Sequence, residues 1–199
     1  MRLTKKYMKN ILIILLLTLL LQNLTKADDI KDFEIEGISI GDSLLDYFTK
    51  EEIIEATREN QYEDKDGKFI DVNFFDDTVS FLKTYEGLLI SYKKSDKKYK
   101  IYSLGGGIFF DDKDINQCLE MQKIVDKDLS DLFKKAERYE TKKKYKYDDT
   151  GKSFVHFITY YLDSGDEVEV TCYEFADHFN RKNYLLVTVD KKEFKDWLE

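Results

Sequence analysis

The pattern of apolar and polar residues predicts two groups of β-strands separated by one long helix. The strand segments, two of which are long enough to be hairpins, are 33–40, 69–75, 88–104, 153–175 and 184–189. From Ile115 to Ala136, apolar residues recur three and four positions apart, which predicts an amphipathic helix. This order predicts an α+β fold: an antiparallel sheet built of hairpins, with helices packed on one face. A helix followed by three strands occurs twice, without a residue-level repeat.

Helix starts are predicted from residues at the capping-box spacing. The pairs are Ser43–Asp46, Thr49–Glu52, Asp114–Gln117 and Asp190–Glu193. The helix after Thr49 is expected to run to about Arg58. The long helix is expected to end among the basic residues 134–138, since positive charge suits a helix C-terminus. Asp190 is expected to cap a short helix that packs on the domain.

The first hairpin is predicted to turn at residues 95–96. This turn pairs Ile90 with Ile101 and Tyr92 with Tyr99, so that β-branched and aromatic residues meet across the strands.

The second hairpin is predicted to turn at residues 164–165. This turn pairs Phe157 with Cys172 on the more apolar face of the sheet. His156 and Tyr160 then fall on the opposite, wetter face.

Residues 1–27 have the pattern of a cleavable secretory signal. Four basic residues precede an apolar run at 11–21, and Thr25-Lys26-Ala27 has the small-x-small pattern of a cleavage site. The run is shorter than the roughly 20 apolar residues of a spanning helix, although an uncleaved membrane anchor is the alternative. Residues 28–199, which contain no proline and no Gly/Ser-rich linker, are predicted to form a single domain, periplasmic or secreted and not embedded in a membrane.

The cysteines Cys118 and Cys172 are predicted to form a disulfide. Helical periodicity places Cys118 on the apolar stripe of the long helix, and strand alternation places Cys172 on the apolar sheet face. An exported domain with two cysteines is a typical disulfide candidate. Two buried free thiols are the alternative.

The charge of the chain argues against nucleic-acid binding. Loss of residues 1–27 would remove five of the 32 basic residues and leave 27 against 40 acidic side chains, a formal charge of −13. Such a surface repels phosphate backbones. The lysine-rich stretches 93–100 and 134–146 contain or adjoin acidic residues, so we interpret them as solvated turns and helix ends.

No motif points to a cofactor or a metal, and none is predicted. Residues 64–67 resemble part of a calcium-binding loop, but the required first carboxylate and last glutamate are missing. The acids of 111–114 suit a helix N-terminus. Gly105 to Gly107 lack the rest of a phosphate loop and are interpreted as a bulge or a close backbone crossing.

Catalytic residues are not predicted either. Asp177 and His178 are adjacent and could belong to a dyad, but no nucleophile motif accompanies them. The leading hypothesis is a non-catalytic domain that binds a protein, peptide or small ligand through the outer face of its sheet. The alternative is a metal-binding protein or hydrolytic enzyme that uses the carboxylate clusters or Asp177 and His178.

Tyrosines on the predicted strands are the candidate binding surface. Tyr102, Tyr160 and Tyr173, together with Tyr145 and Tyr147, are expected to form an exposed aromatic patch, as binding faces often do. The alternative is that these side chains simply cover one face of the sheet.

The segment 33–48 (FEIEGISIGDSLLDYF), with 101–110 and Cys172-Tyr173, resembles an uncharacterised family of small exported proteins from low-GC marine bacteria. The resemblance implies a periplasmic setting. It implies no activity and assigns no functional residue.

Overall fold

A computed structural model describes residues 29–58, 66–75, 79–110 and 114–199, so the predicted signal at 1–27 lies outside the described residues. The strands are β1 Glu34–Ile35, β2 Ile38–Ser39, β3 Thr57–Arg58, β4 Phe69–Phe75, β5 Gly87–Lys93, β6 Ile101–Phe110, β7 Glu137–Lys144, β8 Phe154–Tyr161, β9 Glu167–Glu174 and β10 Asn183–Asp190. The α-helices are α1 Lys50–Ala56, α2 Ile115–Leu132 and α3 Lys192–Leu198. Short 3-10 turns lie at Ile30–Asp32, Leu44–Asp46 and Asp177–Phe179.

The main sheet is antiparallel and has the strand order β3-β4-β5-β6-β10-β9-β8-β7. Two meanders, one on each side of α2, meet where β6 pairs with β10. The α+β prediction is therefore confirmed. The doubling predicted from the sequence corresponds to these two meanders, each of which has four strands instead of three.

Helices α1 and α2 cover one face of this sheet, which we call the inner face. Helix α2 packs on β9 and β10, where the inward side chains of each strand are fully buried aliphatic residues. The predicted disulfide between Cys118 of α2 and Cys172 of β9 is present, with the two Cα atoms 5.9 Å apart. Beside it, the buried Gln122 amide donates hydrogen bonds to the carbonyl oxygens of His156 and Val170. Together these contacts attach the long helix to the second meander.

Helix α3 packs on the opposite face, which we call the outer face. Phe194 makes an edge-to-face contact with Phe69 of β4, and Lys195 forms an ion pair with Glu167 of β9 at 2.8 Å. The helix therefore covers one end of the outer face and leaves the other end open. No helix within the described residues is long and apolar enough to span a membrane.

The predicted register of the second hairpin is wrong by one residue. Its turn contains three residues, 163–165, closed by a hydrogen bond from Leu162 N to Asp166 O, and Gly165 adopts the positive φ of 82° that this turn requires. His156 therefore lies opposite Cys172. Because side chains alternate along a strand, one extra turn residue moves every side chain of β8 to the other face.

The first hairpin also differs from its prediction. Strand β5 ends at Lys93 and β6 begins at Ile101, so the connection is a longer loop instead of a two-residue turn. Asp96 organises this loop by accepting backbone hydrogen bonds from Lys98 and Lys100. Tyr92 consequently pairs with Ile101, and a bulge follows in the ladder.

Strand β7 is missing from the sequence prediction, which placed its first two residues in the last turn of the long helix. Helix α2 ends at Leu132, and Arg138 lies in β7 instead of the last helical turn. There its guanidinium donates two hydrogen bonds to Asp126 of α2, at 2.8 and 2.9 Å. All eight residues of β7 are exposed, so this edge strand has no apolar alternation to reveal it.

The caps predicted at the first three starts are present, and the fourth is absent. Ser43 caps its 3-10 turn, Thr49 forms the complete capping box with Glu52, and Asp114 caps α2 by accepting a hydrogen bond from Asn116 N. Helix α1 ends at Ala56, before the predicted end. Asp190 is not a cap: it is the buried last residue of β10, and the residue before α3 is Lys191.

Candidate functional site

The outer face of the sheet has a buried polar end beneath α3. Strand pairing places five polar side chains in one row across the sheet: Asp71, Ser91, Ser103, Asp190 and Glu167. Each has less than a tenth of its surface exposed. Ser91 donates a hydrogen bond to Asp71, and Ser103 donates one to Asp190. This end of the face is therefore closed and hydrogen-bonded within itself.

Burial opposes the ionisation of two acids at or beside this polar end. Burial raises the pKa of Asp190 to about 7, although the hydrogen bond from Ser103 and the charge of Lys195 act in the opposite direction. Burial also raises the pKa of the neighbouring Glu169, against the hydrogen bond that it accepts from Thr171. The result is a region where additional negative charge is unfavourable.

The open end of the outer face contains a groove with a cavity volume of about 800 Å³. It extends over β4, β5, β6 and β10. Its described lining consists of Asn73, Phe75, Gly87, Leu88, Leu89, Gly107, Phe109, Phe175, Arg181, Lys182, Tyr184 and Leu186. The groove is thus mainly apolar, on the part of the outer face that α3 does not cover.

Glycines in the floor of the groove leave space where other residues would have side chains. Gly107 lies between Gly87 and Leu186 in one cross-strand row. A Cβ atom built on Gly107 would have its nearest neighbour 3.9 Å away, at the carbonyl oxygen of Leu185. A Cβ atom at this position would therefore make only ordinary van der Waals contacts.

Aromatic rings form the walls of the groove. Phe75 and Phe109 keep 40% and 36% of their surface exposed, which is unusual for phenylalanines on a sheet. Tyr184 contacts Phe109 with a centroid distance of 5.7 Å and stacks on Tyr173 at 4.3 Å. Burial raises the pKa of Tyr173 to about 12 and also raises that of Tyr184. Both phenols are therefore neutral at physiological pH.

Charge in the groove is of one sign. Among its described lining residues, Arg181 and Lys182 are cationic and none is acidic. Both side chains are exposed, and the Arg181 guanidinium carbon lies 5.9 Å from the centroid of the Phe175 ring. The charged side chains of the described groove lining are therefore both positive.

The five tyrosines predicted to form one binding surface do not all lie together. Tyr173 belongs to the aromatic cluster beside the groove. Tyr102 lies at the α3 end, where its ring packs on Phe69. Tyr160 is on the inner face and 1% exposed, so its assignment to an exposed surface is wrong. Its hydroxyl instead donates to the carboxylate of Asp126, which follows from the one-residue error in register.

Tyr145 and Tyr147 extend the aromatic cluster from the groove toward the surface. Tyr145 contacts Tyr173, and Tyr147, which is well exposed, contacts Tyr145. Tyr145 and Tyr147 therefore belong to the same aromatic cluster as Tyr173. The groove itself is not predicted by the sequence analysis, because it depends on the pairing of β6 with β10.

The proposed dyad of Asp177 and His178 has a different arrangement. Both residues lie in a 3-10 turn, and the imidazole Nε2 of His178 is 3.3 Å from a carboxylate oxygen of Asp148. Asp148 also accepts hydrogen bonds from Thr150 and from the backbone of Ser153. The carboxylate of Asp148 therefore holds its own loop together and also pairs with His178. Among the described residues, no group of three or more His, Cys, Asp or Glu is arranged to hold a metal.

The glycine run at 105–107 has two roles. A Cβ atom on Gly106 would lie 2.6 Å from the ring of Tyr85, so this residue allows close packing on the inner face. Gly107 instead opens onto the groove.

Comparison with protein-family models, with curated proteins and with solved structures gave no match.

Proposed function

We propose that this protein is a non-catalytic binding domain that holds a small ligand with an apolar body in the outer-face groove. The observation that carries the proposal is the groove itself: exposed phenylalanine walls over a floor of leucine and glycine. Exposed apolar surface of this extent is costly in water, and its contiguous form is typical of a binding site. An occupant would remove that surface from water.

We further propose that the domain acts in the periplasm or outside the cell. The disulfide supports this, since such bonds persist in oxidising compartments. The signal-like pattern of residues 1–27 supports the same compartment. The proposed binding of a ligand in the groove does not depend on the proposed export.

The alternative of a hydrolase that uses Asp177 and His178 has less support from the geometry, whereas the carboxylate clusters at 64–66 and 111–114 lie mostly outside the described residues. His178 pairs with Asp148 in a loop, and both cysteines are in the disulfide. The buried acids Asp71 and Asp190 are each bonded to a serine of the neighbouring strand. These groups have structural partners, whereas the groove has an open apolar surface.

A neutral solvatochromic dye such as N-phenyl-1-naphthylamine tests the proposal. The dye is expected to fluoresce with the wild-type protein and to lose that signal in Gly107→Ile, whose side chain would fill the groove. Thr141→Ile is the matched control, since it adds an apolar side chain to the outer-face side of exposed β7. Equal dye binding by all three proteins, each with an intact thermal transition, would overturn the assignment of the groove.

A further inference from the structure

The charge and shape of the groove point to a narrower class of occupant. We infer that it takes an amphiphile with a single unbranched chain and an anionic head, with the head at Arg181 and Lys182 and the tail toward Phe75. This inference rests on the proposed binding function and specifies its ligand.

The head group is assigned from the distribution of charge over the outer face. Asp71, Asp190, Glu167 and Glu169 all lie at the α3 end or next to it, where burial already disfavours negative charge on two of them. The opposite end has two cationic lining residues and no acidic one within the described groove. An anionic head is therefore attracted to the end with Arg181 and Lys182, whereas the other end already holds the acids of the outer face, which gives the ligand one orientation.

Arg181 is the better placed of the two cations to bind the head. Its side chain is exposed, and its guanidinium lies near the Phe175 ring at the end of the groove. A guanidinium presents several N–H donors in one plane, which match the paired oxygens of a carboxylate. The aromatic wall beside it lowers the exposure of the contact to water.

The chain-like body is assigned from the length of the groove. Strand pairing places Phe75 level with Leu186, three strands away across the sheet. That is about 14 Å at the usual strand spacing, and Lys182, just before β10, lies four residues further along the chain, about 14 Å. The diagonal is thus roughly 20 Å. A compact ring system would leave most of this length exposed, whereas an extended chain would cover it.

Displacement of the bound dye by matched competitors tests the inference. The probes are dodecanoate, dodecan-1-ol and adamantane-1-carboxylate, each used below its aggregation limit. Wild-type protein is expected to bind dodecanoate more tightly than either of the others. Arg181→Gln should weaken dodecanoate binding about tenfold, the usual effect of losing one charged hydrogen bond, and leave dodecan-1-ol within about twofold. Lys97→Gln, in the distant β5–β6 loop, removes the same charge and should change neither.

The outcomes separate this inference from the binding function. If Gly107→Ile abolishes dye binding but the acid and the alcohol compete equally, the groove stands and the anionic head is wrong. If the adamantane carboxylate competes as well as dodecanoate, the elongated body is wrong. Failure of dodecanoate to displace the dye at all also overturns the inference. Dye binding unchanged by Gly107→Ile overturns the proposed function itself.

Discussion

Removal of the disulfide by Cys118→Ala and Cys172→Ala together should strongly destabilise the protein. Both cysteines are fully buried, and they are 54 residues apart in the chain. A bond that closes a loop of this size lowers the entropy of the unfolded chain, an effect worth about 4 kcal/mol in the chain-entropy model. Small domains are stable by only about 5–15 kcal/mol. The loss would therefore be a large part of the total.

Chemical denaturation with urea measures this difference. The double variant should unfold at a lower urea concentration, and a saturating reductant should shift the wild-type curve in the same direction without affecting the variant. The reductant-insensitive variant is thus the internal control. A difference in unfolding free energy below about 1 kcal/mol between the wild type and the double variant would refute the reasoning. The chain-entropy model requires a larger effect for a loop of this length. Retained dye binding by the folded double variant would show that the inner-face link does not shape the groove.

Three further changes test other contacts. Asp190→Asn should stabilise the protein more at pH 8 than at pH 5, as measured by melting temperatures. Because the pKa of Asp190 is raised to about 7 in the folded protein, wild-type stability falls as pH rises from about 4 to 7. The amide of the variant does not ionise and can still accept the Ser103 hydrogen bond. Thr49→Ala should cost about 1 kcal/mol in urea unfolding by removing the capping box of α1, and an equal stability would contradict that role. Gly107→Ile should raise stability by about 0.5–1 kcal/mol, since an extended glycine loses more entropy on folding than a residue with a side chain; a destabilised variant would show that the position is not open.

Features determined by local sequence were predictable. The capping of α1 depends on Thr49 and Glu52, three positions apart, and is present in the structure. The face of Cys172 was also predictable, because Val168 and Val170 alternate with it along the same strand. The disulfide follows from that alternation and from the helical periodicity around Cys118.

Registers between strands were less predictable, because they depend on turn length. In β8 the side chains on both faces are apolar or aromatic: Ile158 and Tyr160 point inward, while Phe157 and Tyr161 point outward. The pattern therefore does not distinguish the two faces, and a turn of three residues instead of two decides between them. Tyr160 was assigned to the exposed surface for this reason.

The groove was least predictable, because its parts are joined only by the pairing of β6 with β10. Gly107 and Leu186 are distant in sequence and lie side by side in the sheet. Helices α1 and α2 both cover the inner face, and α3 reaches only the end above Asp190. The remaining outer surface is left to Phe75, Phe109 and their neighbours, which are too apolar for an ordinary solvated face. The same topology that closes the core therefore leaves an apolar surface open. This surface includes the end of the outer face where Arg181 and Lys182 supply positive charge.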